Sequence, residues 1–374
     1  MSDSGWSATS WGDIATLKYG KSLRDYKEGR GQTEVFGTNG PVGWTDSGPL
    51  AIGPRPIVGR KGAYRGVHLA RGPFWVIDTA YWLKPGPALD PTWAYYKLLT
   101  LDINGMDSGS AIPSLAKAQF EGVPLDLPPM REQRRIAYVL SAFDELIETN
   151  RRIAEAALEV GRASFSQLAA RSLDLAKLSD VTTKIGSGAT PRGGKDVYQE
   201  EGTSFIRSQN VYDGQFSYDG LARISDGAAD ALSGVAVLSG DVLVNITGES
   251  VARTALVPNR ALPARVSQHV AIIRADAAVL DYRFLMLALL SAPIKGHLNG
   301  LSTAGATRRA LTKAHLGETR IPMPPLAEQR RVSRVLEAIG ELGDELADLT
   351  RTRDELLPLL MSGQVRVSED VAVA

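Results

Sequence analysis

The chain has no cysteine among its 374 residues, which excludes disulfides and thiolate metal sites. Histidine is almost as scarce. The four present, His68, His269, His297 and His315, include no pair at metal-binding spacing. Long apolar runs are missing: the longest, from Phe284 to Leu290, is far too short to cross a bilayer. Met1 to Ser10 offers neither the basic region nor the apolar core of a signal peptide. The expectation is a cytoplasmic protein with no membrane association. Net charge is missing too. The 42 basic and 42 acidic residues cancel, which argues against a chain that simply coats nucleic acid. Catalytic signatures fail together. The glycines from Gly188 to Lys195 miss a phosphate loop, because Gly188 is one position early and Asp196 stands where Ser or Thr is needed. The two Pro-Pro pairs are flanked by Leu127 and Met130 and by Met323 and Leu326, unlike the Asn/Asp-Pro-Pro-aromatic motif of an amino-methyltransferase. No Gly-x-Ser-x-Gly and no nuclease-like carboxylate pair with a lysine is evident.

What the chain does have is one stretch written twice. Pro128-Pro129-Met130-Arg131-Glu132-Gln133-Arg134-Arg135-Ile136-Ala137-Tyr138-Val139-Leu140 returns as Pro324-Pro325-Leu326-Ala327-Glu328-Gln329-Arg330-Arg331-Val332-Ser333-Arg334-Val335-Leu336, identical at 8 of 13 positions with an offset of 196 residues. Upstream, Leu115-Ala116-Lys117-Ala118 matches Leu311-Thr312-Lys313-Ala314 without a gap. The prolines hold the entering chain extended, and helix follows with Glu132 and Glu328 near its positive end. Apolar residues then recur at heptad spacing. They are Ile136, Val139, Phe143, Leu146, Ile153, Ala157 and Val160 in the first copy. In the second they are Val332, Val335, Ile339, Leu342, Leu346, Leu349, Leu356 and Leu360. This predicts coiled-coil seams interrupted by Asn150 and Arg353, polar residues that cost stability and fix register. A continuous helix from Arg131 to Leu168 would be about 57 Å long. Pro358 is expected to bend or end the second helix, and Gly340 and Gly343 to loosen it.

Two globular halves precede the two copies. The expected division is 1–127, helix 128–174, 175–323, and helix with tail 324–374. The first half reads as strands and glycine turns around Ile57-Val58-Gly59 and Phe74-Trp75-Val76-Ile77. A helix from Pro91 to Leu101 follows, with Trp93, Tyr96 and Leu99 or Leu101 inward. A polar loop, Asn104 to Ser110, comes next. The second half carries strand patterns at Ser204–Arg207, Asp241–Ile246 and His269–Ile273, a buried helix from Tyr282 to Leu290, and a loop from Asn299 to Thr307. The plan is shared although the strand sequences barely match, as expected of a common scaffold carrying two different readers. Acid-free basic stretches occur in both halves: between Asp46 and Asp78, between Glu249 and Asp276, and between Asp281 and Glu318. Such stretches suit a phosphate backbone.

The duplicated Pro-Pro-x-x-Glu-Gln-Arg-Arg entry to a long helix resembles the specificity subunits of type I restriction–modification enzymes. Gly59-Arg60-Lys61-Gly62-Ala63, Trp75 to Tyr81, Phe205 to Val211 and Gly240 to Gly248 look like that family's target-recognition domains. The resemblance covers nearly the whole chain. It implies an α+β fold, with two mixed α/β recognition domains joined by long antiparallel coiled-coil helices in a pseudo-two-fold repeat. It implies a non-catalytic subunit whose domains each read one half of a bipartite site in double-stranded DNA. Two modification subunits and the restriction subunits would then supply adenine methylation, translocation and cutting. No cofactor is expected on this chain; S-adenosylmethionine, ATP and magnesium belong to the partners.

Bases are read by forked side chains. The candidates are Arg60, Lys61 and Arg65 in the first half and Arg207, Gln209, Asn210, Gln268 and Arg308 in the second. His68, Arg71, Arg253, His269 and Arg309 are candidates for phosphate contacts. Arg134, Arg135, Arg330 and Arg331 could face a modification subunit, the DNA spacer, or acidic groups within the bundle. Three other readings stay open: an enzyme with an unfamiliar site, a coiled-coil assembly scaffold that never touches DNA, and an orphan specificity subunit without a restriction partner.

Overall fold

The computed structural model describes residues 5–26, 30–106, 113–303, 309–368 and 370, with the side chains of 194 and 195 left aside. Two compact units result: residues 1–146 with 350–374, and residues 147–349. Each therefore contains part of both repeat helices.

In the first unit an antiparallel sheet runs in the order Ala15–Tyr19, Ala80–Pro85, Arg55–Gly59, Val67–Ala70. A second sheet pairs Thr33–Gly37 in parallel with Pro73–Val76 and adds Gly40–Thr45 and Ala51–Ile52 at its edges. The second unit repeats this arrangement. Its antiparallel sheet runs Thr182–Ser187, Val270–Ala275, Val242–Asn245, Thr254–Leu256. Its second sheet is built on the parallel pair Thr203–Ile206 and Ala264–Val266. Small two-stranded ribbons also correspond, Ser7–Ser10 with Pro124–Leu127 and Leu175–Lys177 with Arg320–Pro322.

One glycine in each unit explains how the two sheets join. A Cβ on Gly20 would lie 2.0 Å from the Ile77 carbonyl oxygen, and a Cβ on Gly188 would lie 1.9 Å from that of Val266. Only a bare backbone fits there. Gly188, which sequence alone ties to an incomplete phosphate loop, is thus a sheet-crossing residue.

The helix over Pro91–Leu99 starts at an Asp90 cap that accepts from the Thr92 and Trp93 amides, both at 2.9 Å. Its inward residues are Trp93, Tyr96 and Leu98, all fully buried, whereas Leu99 is exposed. The helix Tyr282–Leu290 is capped identically by Asp281. It sits inside the second unit's core with Phe165, Leu311, Leu316 and Leu336. Helix Ala292–Thr303 extends over much of the stretch read from sequence as a polar loop from Asn299.

The first repeat helix spans Met130–Ala169, 40 residues without a break. The expected seam is out of phase at alternate positions. Leu140, Ile147 and Gly161 are buried, while Leu146, Ile153 and Val160 are 42%, 48% and 55% exposed. Of the four residues shared by both phases, Ile136 and Asn150 are buried and Phe143 and Ala157 half-buried. The second repeat helix comprises Leu326–Ser333, a tight turn over Arg334–Leu336, and Glu337–Met361. Its irregularity falls before Gly340 and Gly343, and the helix passes through Pro358. Within the first unit, Asp144 meets Arg353 at 2.8 Å while Ile136, Ala137 and Leu140 share a core with Leu360 and Met361, so the helices run antiparallel there. The seam's odd arginine is thereby neutralised. In the second unit a Cβ on Gly161 would come within 3.1 Å of Leu336, so glycine permits the close approach of the two helices.

The duplicated glutamine does structural work of its own. Gln133 is fully buried, accepts from the Asp90 amide at 2.8 Å, and donates to the carbonyls of Ala88 at 2.9 Å and Pro128 at 2.8 Å. Gln329 makes the same three bonds, to the Asp281 amide at 3.0 Å and the Val279 and Pro324 carbonyls at 3.0 and 2.8 Å. Each clamps the capped start of a domain helix to the entry of a repeat helix.

Candidate nucleic-acid interface

In each unit the loop after one parallel strand meets the loop after a strand of the antiparallel sheet and the segment that leads toward the repeat helix. In the first unit, Arg60 and Lys61 donate their amides to the Thr79 carbonyl at 2.9 and 3.1 Å, and Leu115 donates to Arg60 at 2.9 Å. In the second, Ile246 donates to His269 at 3.0 Å, and Leu311 donates to Ile246 at 2.8 Å. Isolated bridges join Lys61 to Ser114 and Thr247 to Ala310; Ala310 follows Ser114 by the repeat offset of 196, while Thr247 follows Lys61 by 186. The backbone frame is therefore the same, and the side chains on it differ.

On the first frame the Arg60 guanidinium lies 5.0 Å from the Tyr19 ring centre and 5.7 Å from that of Tyr81, and donates to the Asp78 carbonyl at 3.1 Å. Burial, with the Tyr19 hydroxyl beside it, pushes the Tyr81 phenol up to about 12. Lys61 reaches the Asp78 carboxylate at 3.2 Å, and both groups are well exposed. Thr38 ties the loops together by donating to the carbonyls of Lys61 at 2.9 Å and Thr79 at 2.7 Å.

On the second frame His269 and Gln268 are exposed, with His269 Nδ1 2.7 Å from the Thr247 hydroxyl. Arg309 lies 3.6 Å from Glu249, again in solvent. Arg207 and Gln209 follow the neighbouring parallel strand. Both reach the Gly220 carbonyl, Arg207 at 2.7 Å and Gln209 at 3.4 Å. Arg253 stacks 4.9 Å from the Tyr212 ring centre.

Several sequence candidates do not join these clusters. Arg65 is only 2% exposed, and its guanidinium donates to the carbonyls of Gly62, Ile103 and Asn104 at 3.1, 3.1 and 2.7 Å. It is a loop anchor, with no free edge for a base. Asn210 is fully buried. It accepts from the Arg207 amide at 3.0 Å and donates to Ser217 and Asp219 at 3.0 and 3.2 Å, so its amide is likewise spent within the fold. His68 packs between Gly40 and Gly66, and burial lowers its pKa, which removes the charge a phosphate needs. Arg71 is exposed, but at the opposite end of strand Pro73–Val76. There it lines an open cleft of about 380 Å³ with Glu34, His68 and Tyr95. Arg308 lies outside the described residues. Arg134, Arg330 and Arg331 are exposed, whereas Arg135 is buried, its Nε and Nη1 without a hydrogen-bond partner among the described residues. Sequence reasoning did not name Tyr19, Tyr81, Asp78 and Thr247 as site residues, although Asp78, Tyr81 and Thr247 fall within segments that it likened to recognition domains. Tyr19 is brought to the site by cross-strand adjacency, which no local motif signals.

Residues 52–159 and 173–352 match the family of the type I restriction modification DNA specificity domain. The chain belongs to this family. Among relatives, it is 22% identical over 303 residues to the type I restriction enzyme MjaVIII specificity subunit of Methanocaldococcus jannaschii, covering 75% of this chain and 71% of that one. It is 25% identical to the putative MjaX specificity subunit of the same organism, over 68% of this chain and 62% of that one. The crystal structure of a type I restriction–modification S subunit from M. genitalium superposes with a TM-score of 0.68 at 19% identity, covering 95% and 96% of the two chains, which shows a common fold. As a member of the family, the chain recognises DNA sequence and is itself non-catalytic; its partners are DNA and methyltransferase and restriction subunits. Among the described residues no group of three histidine or carboxylate side chains could hold a metal. No single helix there is long and apolar enough to cross a membrane.

Proposed function

We propose that each unit reads one half of a bipartite DNA site through the loop cluster at the carboxyl ends of its parallel strands. The observation that carries this is the pairing of one backbone frame with two unlike sets of exposed polar side chains. Arg60 and Lys61 serve the first half-site. Gln268, His269 and Arg309 serve the second, with Arg207, Gln209 and Arg253 beside them. The functional division is 1–127 and 175–323 for the two recognition domains, with 128–174 and 324–374 as repeat helices. Two modification subunits bind and methylate adenine at the site so chosen, and restriction subunits act from the same address. Arg134, Arg330 and Arg331 are available to those partners. S-adenosylmethionine, ATP and magnesium reside on the partner subunits, and the assembly works in the cytoplasm.

The test is methylation mapping of the host genome with and without this gene. Loss of one bipartite adenine-methylated motif on deletion is expected. An unchanged methylome, with the modification subunit expressed, would refute the reading and favour a protein scaffold. A second measurement separates phosphate from base contacts. Lys61→Ala in the assembled complex should weaken binding to cognate and unrelated duplexes alike. It should also reduce the slope of log affinity against log salt by about 1. A loss confined to the cognate duplex would instead make Lys61 a base reader.

A further inference from the structure

The loop joining Arg55–Gly59 to Val67–Ala70 is pinned on every side. Gly59 donates to the Gly66 carbonyl at 2.8 Å, Gly62 to Pro113 at 2.9 Å, and Gly66 to Thr38 at 3.1 Å. The Asn39 side-chain amide, in the orientation its surroundings require, donates to the carbonyls of Thr38 and Tyr64, each at 3.1 Å. Buried Arg65 fastens the loop from beneath, and its own amide donates to the Asn104 side chain at 2.7 Å. This much anchoring leaves one large group standing clear. Tyr64 is 69% exposed, more than any other aromatic residue among those described, and it shares its loop with Arg60 and Lys61.

An exposed ring on a floppy loop would fold back or move aside. A ring on a stiff support is prepared to act on something that resists, and a stack of base pairs resists. The cations beside it attract phosphates, while the ring offers an apolar face that phosphates do not need. We infer that Tyr64 is a DNA-deforming wedge, its ring inserting at a base step of the half-site read by the first unit. The matching loop of the second unit, placed by the Gly248 amide donating to Arg309 at 3.1 Å, carries the tight turn Gly248–Ser250 and no aromatic residue. The wedge is therefore one-sided. It rests on the proposed assignment of that loop cluster to DNA.

The experiment uses the chain assembled with its modification subunits and a duplex bearing the mapped motif, with 2-aminopurine placed in turn at each adenine and permanganate applied to each thymine. At steps other than the adenine that the modification subunits methylate, which they flip out themselves, unstacking should appear in the first half-site on binding, vanish with Tyr64→Ala and persist with Tyr64→Phe. In the second half-site all three proteins should behave alike. Signals at those other steps that survive Tyr64→Ala unchanged, or that never appear although the complex prefers this duplex, would overturn the wedge. A complex that binds this duplex no better than a scrambled one would overturn the underlying reading, and the wedge with it.

Discussion

Gln133→Ala should lower the stability of the first unit by about 3–5 kcal/mol. The side chain is fully buried and makes three hydrogen bonds at 2.8, 2.9 and 2.8 Å. Alanine leaves one amide and two carbonyls without partners in a site closed to water, at about 1–3 kcal/mol each before partial relaxation. It also leaves a cavity between the helix over Pro91–Leu99 and the repeat helix. All six tryptophans lie between Trp6 and Trp93, so tryptophan fluorescence in a urea titration of the full chain follows this unit. Gln133→Glu should fare no better, because an ionised carboxylate cannot donate to the Ala88 and Pro128 carbonyls. A midpoint unchanged within error for both variants would show that the clamp adds nothing. Gln329→Ala should act in the same way on the second unit, where the Asp281 cap also accepts from the Ser333 hydroxyl at 2.8 Å.

That clamp shows how far the sequence could be read. The Glu-Gln-Arg-Arg repeat is visible in the letters, and so is the helix it opens. The role of the glutamine is not, because two of its three partners stand 43 to 50 residues away along the chain. The seam illustrates another limit. Val139-Leu140 and Leu146-Ile147 are adjacent apolar pairs, so the pattern fits two phases equally well. Tertiary packing selects Leu140 and Ile147, which are 0% and 7% exposed. Candidate readers were picked by residue type within basic stretches, and type is silent about direction. Lys61 and Arg65 are four apart on one loop, yet one reaches solvent and the other is sealed against three carbonyls. The shared domain plan was legible from the order of strands and helix, but not from the polar loop, since in the second unit helix runs on to Thr303. The shared backbone frame was not, since hydrogen bonds between main-chain atoms leave little trace in the side chains.

Arg274 extends this lesson to the charge pattern and gives the second large effect. It falls in an acid-free basic stretch, but its charge is consumed inside the second unit. Nε and Nη2 meet the two oxygens of Asp241 at 2.7 and 2.8 Å, and the Leu238 amide adds a third bond to that carboxylate at 2.7 Å. Asp241 is fully buried, and Arg274 is about a quarter exposed. Removing one member strands the other. Asp241→Ala should therefore cost about 3–5 kcal/mol, and Arg274→Ala a comparable amount. Replacing both at once, as Asp241→Leu with Arg274→Met, should recover most of that loss, because a buried pair exchanged for apolar groups of similar size is close to neutral. The turn before strand Val242–Asn245 would still lack its bond to Leu238, so recovery should be incomplete. Hydrogen exchange at the amides of residues 242–245 reads the effect locally, where tryptophan fluorescence cannot. Losses in the single variants that simply add in the double would mean that the two residues act independently. A reduced salt slope of DNA binding in the double variant, at recovered stability, would place Arg274 among the phosphate contacts instead.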